Sequence, residues 1–187
     1  MKHKNIFVIL CAILIFATSC QKNNTTAETT PVQVAIVNNG FESKLDSWKV
    51  ETDYKGDYGF SADTGARHSG TYGLNFYAAQ AAHWTGAPQE TPWNGSIYQT
   101  VSGLKDGTYT FKAYADAVGD GMYLWAQGDP EVPGSKVKIK SEKSELNTMD
   151  FVVKGGIAKI GFICVNAGGA GVYAPYFHAD DLELWTK

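Results

Sequence analysis

Beyond about residue 31, no stretch of the chain has apolar residues recurring every three to four positions, as an amphipathic helix requires. Short runs of β-branched and aromatic residues alternate with polar ones instead, and Gly, Asp, Asn and Pro break them up. The pattern predicts eleven strands, near residues 32–37, 48–52, 58–62, 72–77, 96–101, 108–115, 122–127, 136–140, 148–153, 158–165 and 179–185. Leu-Lys-Asp-Gly-Thr-Tyr at 104–109 predicts a hairpin turn, and Val-Lys-Gly-Gly-Ile-Ala at 153–158 predicts another. Many short strands with turns at this spacing predict an all-β, two-sheet antiparallel β-sandwich.

The alternation also sorts the faces. Tyr109, Phe111, Ala113 and Ala115 share one side of their strand, as do Met122, Leu124 and Ala126 of the next. These sets read as core. The opposite phase leaves Tyr114, Tyr123 and Trp125 among polar neighbours.

The first residues are an address rather than a fold. Lys2 and Lys4 precede an apolar run at 6–16 that is too short to span a bilayer, and Ala-Thr-Ser-Cys follows. This ending resembles the lipobox of bacterial lipoproteins, with Ala17 where Leu is commonest. The resemblance implies a signal peptide over 1–19, a lipid on Cys20 and an outer-membrane anchor on the periplasmic or the cell-surface side. Residues 20–31 read as a polar tether and 32–187 as one folded domain. Without the two signal lysines, 14 basic residues stand against 19 acidic ones, a net charge of −5 with no basic run, so nucleic acid is not an expected partner. Cys164 lies in an apolar strand without a cationic neighbour and reads as an inert core thiol.

Two long segments carry unusual aromatic content. Residues 79–95 hold Trp84 and Trp93 beside His83, Gln89, Glu90 and Asn94; residues 166–181 hold Asn166, Tyr173, Tyr176 and His178. Flat aromatic faces among hydrogen-bonding side chains suit the apolar face and the hydroxyls of a pyranose. The expected carbohydrate-binding set is Trp84, Trp93, Trp125, Tyr123, Asn166, Tyr173 and Tyr176. The competing reading is that these rings plug the open ends of a sandwich. Trp48 reads as core, and Trp185 is given no function.

In order along the chain, Asn-Asn-Gly-Phe-Glu-Ser at 38–43, His-Ser-Gly-Thr-Tyr-Gly-Leu-Asn-Phe at 68–76, the segment 97–115 and His-Ala-Asp-Asp-Leu-Glu-Leu-Trp at 178–185 form a familiar series. They resemble carbohydrate-binding modules of the galactose-binding-like jelly-roll fold, most closely the galactan-binding modules appended to endo-β-1,4-galactanases. The resemblance implies a polysaccharide ligand, with glycoside hydrolases or transporters of the same pathway as neighbours. It also implies a structural calcium ion held by Glu42 and Asp180, with backbone carbonyls near Asn39 or Ser69 completing an oxygen shell. Asp180 shares the phase of Leu182 and Leu184 and so is expected to point inward, where a carboxylate needs a partner. Turn amides, Arg67 or His68 are the alternatives to calcium.

Catalysis has weaker support. Glu90, Asp116, Asp120 and Asp129 are the carboxylates near aromatic segments, and none sits in a paired motif. No nucleophile elbow, zinc-binding helix or phosphate loop occurs. The expected function is therefore non-catalytic binding of β-galactan or another plant or host glycan. The alternatives are a small glycosidase or lyase using Tyr173 or Tyr176 with His178, and a structural or protein-binding envelope lipoprotein.

Overall fold

The computed structural model describes residues 30–54, 57–79, 92–167 and 175–187. Eleven strands run β1 (Gln33–Val34), β2 (Lys49–Thr52), β3 (Asp57–Asp63), β4 (Gly73–Ala79), β5 (Trp93–Ser102), β6 (Gly107–Val118), β7 (Met122–Gln127), β8 (Ser135–Lys138), β9 (Glu145–Val153), β10 (Ile157–Ala167) and β11 (Tyr176–Thr186). They form two antiparallel sheets. A six-stranded sheet has the order β3-β4-β11-β6-β9, with β1 paired to the C-terminal half of β11; a five-stranded sheet has the order β2-β5-β10-β7-β8. The predicted all-β sandwich is the fold observed.

The core lies between the sheets. Phe76, Phe111, Phe177, Leu74 and Leu184 enter it from one side, and Ile97, Leu124, Ile160 and Phe162 from the other. The inward sets read from the alternation of β6 and β7 are buried as expected. Cys164 is buried too, and its desolvation pushes the thiol well above its ordinary range, so it stays protonated and inert. Trp48 packs against Phe41 at 5.1 Å between ring centroids and donates its indole N–H to the Asn38 carbonyl.

Both predicted hairpins are something else. The 104–109 turn joins β5 to β6 and the 153–158 turn joins β9 to β10, and each pair lies in different sheets. The two segments are arches that cross the sandwich side by side. The Leu104 amide donates to the Gly156 carbonyl at 3.0 Å, and the Gly155 amide donates to the Asp106 carboxylate at 2.8 Å. Gly155 and Gly156 have φ of 76° and 75°, which L-residues rarely adopt. A sequence shows where the chain must turn sharply; it does not show which sheet receives the next strand.

Candidate functional site

The outer face of the five-stranded sheet brings together the strand-borne part of the predicted set. Tyr123, Trp125 and Gln127 point outward from β7, alternating with buried Met122, Leu124 and Ala126. Pairing registers place Trp125 opposite Gly161 of β10 and Lys136 of β8, and Gly161 opposite Tyr98 of β5. Gly161 is needed here, because a Cβ on it would come within 2.1 Å of the Ile97 carbonyl oxygen. With no side chain between them, Tyr98 and Trp125 meet edge to face across β10 at 6.3 Å. Gly134 backs the indole from the other side, where a Cβ would sit 2.2 Å from the Trp125 Nε1. Trp125 is therefore held in one orientation by a ring and a loop while part of it stays exposed.

Lysines and a carboxylate surround these rings. Lys49 pairs with Glu51 at 2.6 Å, and Tyr98 donates its hydroxyl to the same carboxylate at 2.9 Å. Those contacts push Lys49 up to about 12 and hold Glu51 below the usual carboxylate range. The Lys159 Nζ lies 4.9 Å from the Tyr98 ring centre, and the Lys136 Nζ lies 4.6 Å from that of Tyr123. Adjoining them, Glu51, Asp53, Asn94, Ser96, Ile163 and Val165 line an open depression of about 410 Å³. Its far rim carries exposed Asn166, in a bulge of β10 with φ of 47°. The Asn166 amide donates to the Asn94 side chain, and Asn94 in turn donates its backbone amide and its side-chain amide to the two Asp53 carboxylate oxygens.

Trp93 is a correction. It is 3% exposed and stacks on Phe76 at 4.0 Å, with Tyr54 against its edge at 5.7 Å. It opens β5 rather than standing in a loop, and its position in the strand turns it into the core with Ile97. A ring covered on its face cannot stack on a sugar, so the end-plug reading applies to Trp93. Its buried Nε1 has no hydrogen-bond partner among the described residues. Trp84 and Tyr173 lie outside the described residues, as do Cys20 and the signal segment.

Tyr176 is on the other side of the molecule. It points out from β11 in the six-stranded sheet, stacked on His178 at 4.8 Å between ring centres, and His178 Nδ1 lies 3.0 Å from Asp116 Oδ2. Burial and the charges of Asp116 and Glu142 push the Tyr176 hydroxyl above its usual range. The sheet order thus separates Tyr176 from Tyr123 and Trp125. Of the other carboxylates weighed for catalysis, Asp120 pairs with Lys138 at 2.6 Å and Asp129 with Lys154 at 2.8 Å. Glu90 lies outside the described residues.

Asp180 is buried as expected, for a different reason. A register shift between Asp180 and Glu183, with Asp181 at φ 49°, breaks the phase of β11. Asp180 therefore belongs with outward His178 and not with inward Leu182 and Leu184, and segment 68–72 covers it. Its Oδ2 accepts the amides of His68 and Ser69 at 2.8 and 3.0 Å, and its Oδ1 accepts the Asp181 amide at 2.8 Å. Glu42 Oε1 accepts the amides of Thr71 and Tyr72. Turn amides, one of the expected alternatives, thus partner both carboxylates and fasten the opening loop to the last strand. Glu42 packs directly on Gly70, where a Cβ would lie 2.1 Å from Oε1, and its Oε2 takes none of these amides. Among the described residues, no three His, Cys, Asp or Glu side chains converge as a metal cluster.

Sequence reasoning missed Tyr98, Gly161, Lys136 and Lys159. The signal was available in β5 and β10, where Tyr98 and Lys159 take the phase opposite to Ile97 and Ile160.

No family model matches the sequence, and no curated protein matches it. Solved structures do. TmCBM61 in complex with β-1,4-galactotriose is 19% identical, covers 81% of this chain and 97% of its own, and has a TM-score of 0.56. A family 16 carbohydrate-binding module is 17% identical over 80% of this chain and 97% of its own, with a TM-score of 0.54. The K1 cleaved adhesin domain of Lys-gingipain from Porphyromonas gingivalis W83 is 10% identical over 85% and 99%, with a TM-score of 0.50. At these identities the likeness is one of fold, and the fold is the β-sandwich of carbohydrate-binding modules.

Proposed function

We propose that this chain is a non-catalytic polysaccharide-binding lipoprotein of the bacterial envelope. A lipid on Cys20 would anchor it to the outer membrane, where it would hold β-galactan or another plant or host glycan near glycoside hydrolases or transporters. The observation that carries the reading is the part-exposed Trp125 beside Tyr123, fixed by Tyr98 and Gly134 on a central region of rigid sheet. A pyranose ring would lie on the indole, with Lys136 opposite it on β8 and Gln127 two residues along β7 nearest to its hydroxyls. Rings already held in place lose little freedom on binding. The fold shared with a galactotriose-binding module agrees with this reading.

Affinity electrophoresis of the full chain in detergent, through gels containing galactan, arabinogalactan, xylan, β-glucan or pectin, tests it when paired with an assay for new reducing ends. Retardation without cleavage is the expected result. Cleavage would overturn the non-catalytic reading, and the absence of both would favour a structural or protein-binding lipoprotein.

The enzyme reading has one observation behind it, the Tyr176–His178–Asp116 cluster. A lyase needs a tyrosinate or a comparable base, and the surroundings of Tyr176 hold its proton more firmly than usual. The cluster is better suited to donating hydrogen bonds. Calcium remains part of the proposal as a structural ion, with Glu42 and Asp180 supplying side-chain oxygens and no role in chemistry.

A further inference from the structure

The net charge of the chain is negative, yet the lysines are not spread evenly. The outer face of the five-stranded sheet carries Lys49, Lys136, Lys138 and Lys159 against Glu51, with Asp120 at its edge. Lys49 and Lys138 are used internally, by Glu51 and Asp120. Lys136 and Lys159 form no ion pair with a described carboxylate; their ammonium groups lie over the rings of Tyr123 and Tyr98. They flank Trp125 on both sides: Lys136 is directly opposite it on β8, and Lys159 is diagonal to it on β10. A strand spacing of about 4.8 Å and a rise of about 3.3 Å per residue put their Cα atoms about 12 Å apart across the face.

From this we infer that the glycan bound at this face is an acidic polysaccharide, one that carries uronate carboxylates or sulfate esters. The inference rests on the binding reading above and adds the ligand's charge to it. A neutral polymer would use the indole and offer no anion to Lys136, which has no ion pair among the described residues, or to Lys159, whose described counter-charge is Glu51, already paired with Lys49. A polymer with a sugar stacked on Trp125 and anionic groups on either side satisfies all three. Nucleic acid fits this face less well, because the chain carries a net charge of −3 and its lysines form no continuous basic run along which a phosphate backbone could lie.

The test uses the full chain in detergent, with gels containing sodium polygalacturonate, its carboxyl-reduced form, chondroitin sulfate or neutral β-1,4-galactan. Retardation by polygalacturonate or chondroitin sulfate is expected to exceed that by either neutral polymer and to weaken as salt is raised. The Lys136→Gln/Lys159→Gln double variant is expected to lose about tenfold in affinity for the acidic polymer, the combined effect of two exposed ion pairs. Near-UV circular dichroism of that variant should be unchanged. Equal or stronger retardation by neutral galactan, indifferent to the double substitution, overturns the acidic ligand and leaves polysaccharide binding standing. Failure in every gel overturns both. Tighter binding of a single-stranded oligo(dT) than of any glycan overturns the inference in favour of a nucleic-acid ligand.

Discussion

The two outer faces of this sandwich use aromatic residues for different ends. On the six-stranded sheet, rings and carboxylates are committed to one another: His178 to Asp116 and Tyr176, and His68 both to Asp181 at 2.7 Å and to Tyr114, stacked at 3.6 Å. Asp180 below them is closed off by backbone amides. On the five-stranded sheet, Trp125 is supported from its edges and its surroundings are cationic. One face spends its polar groups on holding the opening loop against the last strand. The other leaves some unspent. Aromatic content therefore does not identify a binding face; what matters is whether a ring's neighbours have already satisfied each other.

The largest expected effect breaks the committed face. Asp180→Ala strands three backbone N–H groups in a covered site, and should lower the unfolding free energy by about 3 kcal/mol in a urea titration. A loss under about 0.5 kcal/mol would mean those amides find water and that the face is not closed. Next comes the contrast in binding. Trp125→Ala should weaken glycan affinity at least about thirtyfold, as expected for a central aromatic anchor, with little change in melting temperature. His178→Ala should leave affinity within about twofold. The reverse result in the same electrophoresis assay would exchange the roles of the two faces.

Acid gives a smaller and more specific effect. Pairing and hydrogen bonds hold Glu42, Glu51, Asp129 and Asp150 below their ordinary range, so the stability they contribute is lost as pH falls through their folded values. Burial pushes Asp180 the other way. A raised folded value favours the protonated folded state, so this group adds stability as pH falls and partly offsets the others. Asp180→Asn should therefore steepen the acid loss of stability through the carboxylate range. A parallel curve would show that Asp180 is not the offsetting group. Calcium gives a separate test of the committed face: at about a hundredfold its dissociation constant, a structural ion adds about 2.7 kcal/mol, a rise of about 5–10 °C in melting temperature for a domain of this size. Calcium and chelator giving the same melting curve would remove the ion from the proposal.

The strands, their number and their inward phase were legible because the side-chain period in a sheet is two and the core tolerates little else. The arches at 103–107 and 153–157 were not, since a tight turn between partners and a tight turn between sheets use the same residues. Asp180 shows a second limit. One bulge residue at positive φ shifts the phase of everything after it, and Asp181 is not a glycine that would announce it. Trp93 shows a third: Pro92 and Asn94-Gly95 look like loop punctuation around it, yet β5 already begins there and its phase turns the ring inward onto Phe76 of the opposite sheet. Trp125 was found by phase alone, whereas the glycine and lysines that shape its surroundings become visible only once β5, β8 and β10 are set beside it.

The place of β11 has a consequence for how the chain is made. This strand follows the ten other described strands along the chain but lies in the interior of the six-stranded sheet, bonded to β4 and β1 along one side and to β6 along the other. No shorter nascent chain contains the piece that joins those three strands, so vectorial folding from the N-terminus stalls with its central seam open. The six-stranded sheet of a chain built this way closes only once β11 is available, whereas the five-stranded sheet has all of its strands before it.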